Sequence, residues 1–158
     1  MPEWVFGQLP KHNILMISFP DKEPLYSYTH IMRSRYGETD QMGYVYYGRY
    51  PEFFEVARTE MMRSVGLSYR KMEEDGVMLP VISMEIDYRM PVHYDEEMSV
   101  EVMLFDKPLV KLHTYYSITT ERSDSPHVRG RVSLCFVDSN SRKPVKAPRI
   151  LLDKLEKR

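Results

Sequence analysis

The spacing of apolar residues predicts one long helix in the middle of the chain. Between Pro51 and Val65 apolar residues recur every three or four positions, which is typical of one face of an α-helix. That face comprises Phe54, Ala57, Met61 and Val65, and Phe53 and Met62 widen it. Pro51 suits a first helical turn and Gly66 is a natural stop. We therefore expect a helix that is mostly buried.

Alternation of apolar and polar residues predicts strands on both sides of this helix. One run covers residues 28–36, and four more follow Gly76, at 82–89, 98–104, 110–118 and 128–136. Turn-forming residues separate the later runs, at 91–97, 106–108, 123–126 and 138–144. Shorter helices are expected from Ser68 to about Gly76 and from Pro148 to Lys157.

The balance of these elements predicts the fold class. Four long alternating strands imply an antiparallel sheet with one buried face, and only one long helix is available to cover it. The expected α+β fold is therefore a curved antiparallel sheet wrapped around one long central helix. We interpret residues 1–25 as an N-terminal arm or extra edge strand, and residues 26–158 as a single domain.

Composition and charge indicate a single-domain protein without a membrane span, and they require no nucleic-acid partner. The chain has 158 residues, the length of one domain, and a formal net charge of −1, so no feature calls for nucleic acid or a membrane surface. No apolar run approaches the roughly 18–20 residues of a membrane span. Cys135 is the only cysteine, which excludes an internal disulfide and fits a buried strand residue in a cytoplasmic protein.

Asp40 is the main candidate for chemistry, because it lies in a turn between the first strand and the long helix. One interpretation is structural: with Thr39, it forms an Asx or Ser/Thr turn that shapes the loop. The other is catalytic: its carboxylate attacks a substrate carbonyl directly or activates a water as general base. The residues alone leave both interpretations open.

The start of the helix offers the complementary group. The first N–H groups of a helix have no partner inside it, and the helix dipole adds partial positive charge. The amides of Tyr47 and Gly48 are therefore candidate donors to a thioester oxygen, and losing such a donor typically costs about 3 kcal/mol of transition-state stabilisation. Gly43 and Gly48 either allow a ligand to approach the backbone or simply satisfy turn geometry.

Other side chains are candidates for substrate binding, each with a structural alternative. Tyr44, Tyr46 and Tyr47 either line an acyl pocket or pack in the core, and packing is preferred for Tyr50. Glu55 either contacts substrate or pairs with Arg58 or Thr59. The basic residues on the polar side of the strands either bind the phosphates of a nucleotide-bearing substrate or form a solvated face; they are Arg89, Lys111, Arg129 and Arg131.

Several other chemistries lack their motifs. The five histidines are scattered, no pair has metal-ligand spacing, and no second cysteine joins them, so we expect no metal site. The chain has neither a Gly-x-Ser-x-Gly nucleophile elbow nor a glycine-rich phosphate loop.

One extended motif resembles a known family. The motif begins with Tyr36-Gly37-Glu38-Thr39-Asp40, continues with Gly43-Tyr44-Val45-Tyr46-Tyr47, and ends with Tyr50, Phe53, Glu55, Ala57 and Arg58. It resembles the 4-hydroxybenzoyl-CoA thioesterase family of hotdog-fold acyl-CoA thioesterases. The resemblance extends from about Ser27 to Pro148 and includes Asp87-Tyr88-Arg89-Met90-Pro91 and Tyr94-Asp95-Glu96.

The resemblance implies roles for particular residues. Asp40 falls on the family's catalytic aspartate, and Tyr47 on the residue whose backbone N–H polarises the thioester carbonyl. Many bacterial relatives have histidine at the position of Tyr47, a change that a backbone donor survives. Basic side chains such as Arg89 would meet the coenzyme A phosphates. The family also implies dimers joined edge to edge, often paired into tetramers, with active sites at the subunit boundary.

The resulting expectation is a cytoplasmic acyl-CoA thioesterase that releases a free acid and coenzyme A. Coenzyme A is then part of the substrate, and no separate cofactor is expected. The expected assembly is a homodimer or homotetramer. Two alternatives stay open, namely hydrolysis of acyl groups on acyl carrier protein and a non-catalytic hotdog module that binds acyl-CoA.

Overall fold

A five-stranded antiparallel sheet and one long helix dominate the structure, a computed structural model that describes residues 16–156. The five strands are β1 (Tyr26–Arg33), β3 (Val81–Tyr88), β4 (Glu97–Leu104), β5 (Lys111–Thr120) and β6 (Ser123–Cys135). Their order across the sheet is β1–β4–β5–β6–β3, so β1 and β3 are its edges. Two short strands, β2 (Val77–Met78) and β7 (Val137–Asp138), pair separately. The helices are α1 (Tyr50–Ser64), α2 (Tyr69–Glu74) and α3 (Arg149–Glu156).

Helix α1 packs its apolar face against the inner face of the sheet. The face predicted from the sequence is buried throughout: Phe54, Ala57, Met61 and Val65, together with Phe53 and Met62. Pro51 lies in the first turn, and Gly66 follows the helix with a φ of 84°, a left-handed conformation that favours glycine. The predicted central helix and α+β arrangement are therefore confirmed.

The two shorter helices also form where the sequence predicts them. The Ser68 hydroxyl accepts a hydrogen bond of 3.1 Å from the Lys71 N–H at the start of α2, and Gly76 follows the helix with a φ of 81°. In α3, Leu151 and Leu155 are buried while the remaining side chains are at least partly exposed. Within residues 16–156, no helix is long and apolar enough to cross a membrane.

The boundaries of the later strands differ from the prediction in two places. The predicted turn at 123–126 is wrong, because β6 begins at Ser123 and the hairpin turn lies at Glu121–Arg122. Pro126 is tolerated since the β5–β6 register shifts there, with Thr120 opposite Ser123 and Ile118 opposite Val128. Strand β7, at Val137–Asp138, was not predicted and overlaps the start of the predicted loop at 138–144. Its two residues are too few to show alternation.

Residues 16–25 contain no strand and pack against the outer face of the sheet. The Ile17 N–H donates a 2.5 Å hydrogen bond to Asp87 Oδ2. The Phe19 ring lies 6.2 Å from that of Phe105 and 5.4 Å from that of Tyr115. These aromatic residues form a second, smaller apolar cluster. The rest of the predicted arm, residues 1–15, lies outside the described residues.

A glycine in β6 makes room for the tightest contact between helix and sheet. Gly130 faces the Phe54 ring, which stacks on Tyr116 with a centroid distance of 4.2 Å and an interplanar angle of 20°. A Cβ at Gly130 would lie 2.3 Å from Phe54 Cε2 and 2.5 Å from Cζ. Phe54 and Tyr116 are fully buried, so the ring has little room to move.

The core also contains a cation with neutral partners. Arg58 in α1 is 5% exposed, and its Nε donates to the Tyr69 hydroxyl at 2.8 Å. A second guanidinium nitrogen donates to the Tyr116 hydroxyl at 3.1 Å, and the Thr114 hydroxyl donates to the same oxygen at 2.8 Å. The alternative pairing of Arg58 with Glu55 is therefore wrong: Arg58 turns toward the sheet, whereas Glu55 is exposed.

Candidate active site

Asp40 uses one carboxylate oxygen to build its own turn. Its Oδ1 accepts a 2.8 Å hydrogen bond from the Met42 N–H, and its carbonyl accepts one of 3.0 Å from the Gly43 N–H. Gly43 has a φ of 82°, which accounts for glycine at that position. Oδ2 receives no hydrogen bond from any of residues 16–156. The Asx turn and an available carboxylate oxygen thus coexist in one half-buried residue.

The hairpin that carries Asp40 is anchored to the segment before β4. The Asp40 N–H donates to the Tyr44 carbonyl at 3.1 Å, and the buried Val45 lies opposite Thr39 in an antiparallel bridge. The Val45 N–H then donates to the Val92 carbonyl at 2.8 Å. The position of Asp40 therefore depends on Val92, which lies 52 positions further along the chain.

Glu38 also organises this hairpin, a role that was not predicted from the sequence. It is 3% exposed, and its carboxylate accepts hydrogen bonds from the Arg35 N–H at 2.8 Å and from Arg35 Nε at 2.9 Å. Its carbonyl accepts the Tyr46 N–H at 2.8 Å. The spacing of three residues between Arg35 and Glu38 was the available signal, since it matches a capping arrangement.

The predicted amide donors lie at the start of a short 3₁₀ turn, Tyr47–Arg49, which leads directly into α1. Across residues 16–156, neither the Tyr47 N–H nor the Gly48 N–H donates a backbone or side-chain hydrogen bond. The Tyr46 ring lies over Gly48, where a Cβ would come 2.5 Å from Tyr46 Cε1. A side chain at position 48 would therefore require the exposed Tyr46 ring to move.

A row of tyrosines connects this turn to the edge strand β3. The Tyr47 ring lies 4.5 Å from the Tyr46 ring and 6.3 Å from the Tyr88 ring, measured between centroids. The Tyr88 hydroxyl donates to the Tyr47 carbonyl at 3.1 Å. Tyr46 and Tyr47 are 43% and 62% exposed, so this side of the turn is open.

Tyr50 and Tyr44 have different surroundings. Tyr50 is 3% exposed, as its predicted packing role requires, and its ring lies 5.6 Å from that of Tyr88. Burial raises the pKa of Tyr50, and a hydrogen bond with the Val92 backbone opposes that rise. Tyr44 is half-buried, and its hydroxyl donates to Met42 Sδ at 3.1 Å.

Three arginines are grouped on the outer face of the sheet. Arg89, Arg129 and Arg131 are half-buried, and their Nε atoms are buried without a hydrogen-bond partner in the described part of the chain. The Arg129 guanidinium lies 4.6 Å from the centre of the Phe19 ring, and burial together with the charge of Arg89 lowers the pKa of Arg129. Of the two alternatives for the basic residues, a solvated face therefore fits the exposed Lys111 but not these three arginines.

The remaining candidate groups take no part in the hydrogen bonds that build the Asp40 turn. Glu55 is exposed on α1. Nowhere in residues 16–156 do three His, Cys, Asp or Glu side chains form a group able to hold a metal ion. A groove of about 290 Å³ next to the hairpin is lined by Arg35, Gly37, Glu38 and Arg49. Cys135 is buried, as predicted.

Comparison with known proteins identifies related sequences and structures. Residues 34–155 match the family model described as "Thioesterase-like superfamily". A Bacillus subtilis protein, YneP, provisionally named an acyl-CoA thioesterase, is 36% identical over 111 residues, which span 70% of this chain and 80% of YneP. The Haemophilus influenzae protein named acyl-CoA thioesterase YbgC is 30% identical over 128 residues, which span 75% of this chain and 86% of YbgC.

A solved thioesterase structure has the same fold as this chain. The DHNA-CoA thioesterase of Staphylococcus aureus superposes with a TM-score of 0.73 at 28% identity, covering 78% of this chain and 82% of that protein. The family model covers a broad superfamily, so it does not single out the narrower 4-hydroxybenzoyl-CoA thioesterase family predicted from the sequence.

Proposed function

Because this chain belongs to the thioesterase-like superfamily, has the hotdog fold and is a thioester hydrolase, we propose that its substrates are acyl-CoA thioesters, which it converts to a free acid and coenzyme A. The names of YneP and YbgC support coenzyme A as the carrier. The observation that carries the proposal is the segment itself: Asp40 keeps one carboxylate oxygen available, and the Tyr47 and Gly48 amides a few residues further on have no partner among the described residues.

The proposed chemistry uses these groups together. The thioester oxygen accepts hydrogen bonds from the Tyr47 and Gly48 amides, which stabilise the negative charge that develops on it. Asp40 then acts in one of two ways. It takes a proton from a water that attacks the carbonyl carbon, or it attacks that carbon itself to give a mixed anhydride that water hydrolyses. In both cases the carbon–sulfur bond breaks and coenzyme A leaves as its thiol.

Substrate binding is assigned to the surroundings of this turn. Gly43 has open space beside its Cα, so a ligand can approach its backbone. Tyr44 and Tyr46 are proposed to contact the acyl group, and Glu55 is proposed to contact substrate from α1. The nucleotide phosphates are assigned to Arg89, together with Arg129 and Arg131, because their buried Nε atoms lack partners. A cytoplasmic location fits this substrate.

Assays with three carriers of one acyl group test the proposal. We expect rapid hydrolysis of acyl-CoA, and a higher KM for the acyl thioester of N-acetylcysteamine, which lacks the nucleotide that the arginines would bind. The release of free thiol gives both constants. Faster turnover of acyl carrier protein thioesters would favour that carrier instead. Binding of all three without hydrolysis would contradict a catalytic role.

We propose that the active form is a homodimer, alone or paired into a tetramer, with copies joined along β3. This strand pairs with β6 on one side, and no strand formed by residues 16–156 pairs with its other side. Val81 and Ile82 on it are 46% and 51% exposed. Tyr47 contacts Tyr88 at the end of the same strand, so a second copy placed there would enclose the open side of the turn.

A charged residue on this edge is expected to separate the copies. Ile82→Asp would place a carboxylate in the joined edge, where burial without a partner is costly. We expect a monomer by light scattering and a loss of most thioesterase activity. Leu109→Asp is the matched control, because Leu109 is 67% exposed on the loop between β4 and β5. An Ile82→Asp protein that stays oligomeric and active would exclude β3 as the interface.

A further inference from the structure

The Pro91 carbonyl is held by two side chains from the β5–β6 hairpin. His127 Nδ1 lies 3.0 Å from this oxygen, and a guanidinium nitrogen of Arg122 donates to it at 2.7 Å. His127 has no exposed surface, whereas the side chain of Arg122 is 45% exposed. Two donors therefore converge on one carbonyl from the start of β6 and the turn before it.

The partners of His127 define which ring nitrogen carries the proton. A carbonyl oxygen only accepts hydrogen bonds, so Nδ1 must be the donor to Pro91. Nε2 lies 3.1 Å from the Thr120 hydroxyl, which donates to it if the imidazole is neutral. Burial lowers the pKa of His127, which favours the neutral ring. The charges that face it are Arg122, Glu96 and His93.

The held carbonyl is one residue away from the anchor of the Asp40 hairpin. Val92 follows Pro91, its side chain is fully buried, and its carbonyl accepts the Val45 N–H at 2.8 Å. Val45 lies opposite Thr39, the residue before Asp40. A displacement of Pro91 would therefore pass through Val92 and Val45 to the carboxylate.

We propose that His127 is a positioning residue for thioester hydrolysis, which holds the Asp40 carboxylate in place through the Pro91 carbonyl. This inference rests on the proposed function of Asp40. Arg122 supports the same carbonyl from the surface and is itself oriented by Glu96, with which it forms an ion pair. Neither side chain contacts Asp40, so both act on the geometry of the site alone.

Two substitutions at His127 isolate the hydrogen bond to Pro91. Both His127→Asn and His127→Leu lose the imidazole that contacts Thr120, but the asparagine amide lies near the Nδ1 position and keeps a donor for Pro91. We expect His127→Leu to lower kcat about 10- to 100-fold, because displacing a catalytic group by about 1 Å has an effect of that size. The KM should change less than about twofold. His127→Asn should recover most of that loss.

Amide hydrogen exchange at Val45 tests the same path without an assay. We expect faster exchange of the Val45 N–H in His127→Leu than in His127→Asn, with circular dichroism showing both folded. If the wild-type protein hydrolyses no thioester, the proposed function fails. The exchange rates still show whether His127 fixes the position of Val45 through Pro91. Equal kcat and equal Val45 exchange in the two variants would overturn the inference.

Arg122 provides a second variant that does not disturb the core. Arg122→Met keeps the aliphatic stem and removes the donor to Pro91, so we expect a lower kcat and faster Val45 exchange. Arg70→Met is the matched control, because Arg70 is a surface arginine that forms an ion pair with Glu74 on α2. Its kcat should equal that of the wild type. An Arg122→Met variant indistinguishable from Arg70→Met in both measurements counts against the inference.

Discussion

Replacing Asp40 by asparagine is expected to lower kcat by about 10²- to 10⁴-fold while the protein stays folded. An asparagine carbonyl oxygen accepts the Met42 N–H as Asp40 Oδ1 does, so the turn is preserved. The amide has no negative charge and can neither take a proton from water nor attack a thioester. The expected loss therefore reports the carboxylate itself. Initial rates of thiol release, with thermal unfolding as the check on folding, measure it.

Asp138 offers a control with the same local structure. Its Oδ1 accepts hydrogen bonds from the Asn140 N–H at 3.1 Å and the Ser141 N–H at 2.7 Å, in a loop that follows β7. Asp138→Asn should leave kcat unchanged. If Asp40→Asn and Asp138→Asn both retain wild-type turnover, Asp40 is only a turn former and the catalytic assignment fails.

Replacing Gly130 by alanine is expected to lower the free energy of unfolding by about 3 kcal/mol, the upper range for overpacking a core. The new methyl group would overlap the Phe54 ring, and that ring is stacked on Tyr116 with both residues fully buried. Denaturant unfolding of the purified variant measures the change. Gly37→Ala is the matched control, since no described atom beyond the two neighbouring residues lies within 4 Å of a Cβ at Gly37.

A second substitution shows whether the loss comes from this contact. In Gly130→Ala combined with Phe54→Leu, the smaller side chain at position 54 leaves room for the methyl group. The double variant should then be less destabilised than the sum of the two single changes. Simple additivity, or a Gly130→Ala protein as stable as Gly37→Ala, would show that Phe54 is not the obstacle.

Periodicity explains why the fold was predictable from the sequence. Helix α1 and the long strands each pack one apolar face against the core, so their apolar residues recur with the period of the element. The turn at 123–126 was predicted wrongly because Ser123 and Pro126 are turn-forming residues by composition. The hairpin instead closes at Glu121–Arg122, and the register shift absorbs Pro126. The composition of a short segment does not reveal a shift in the pairing register of two strands.

The candidate site was predictable only in its local part. Asp40, Gly43 and Tyr47 lie within eight residues of one another, so a short motif defines them. Glu38 had only a weak signal, its spacing from Arg35. The contact between His127 and the Pro91 carbonyl joins residues 36 positions apart, and such a contact exists only once the sheet has formed. The grouping of Arg89 with Arg129 likewise depends on the pairing of β3 with β6.

The partners of the buried Arg58 make its own surroundings insensitive to acid. Its described partners are the hydroxyls of Tyr69 and Tyr116, and burial raises the pKa of both tyrosines while Arg58 opposes the rise. A carboxylate in their place would gain a proton on acidification and leave the guanidinium unbalanced. A phenol has no proton to gain in that range, so the arrangement around Arg58 keeps the same charge from neutral pH down to the point where surface carboxylates titrate.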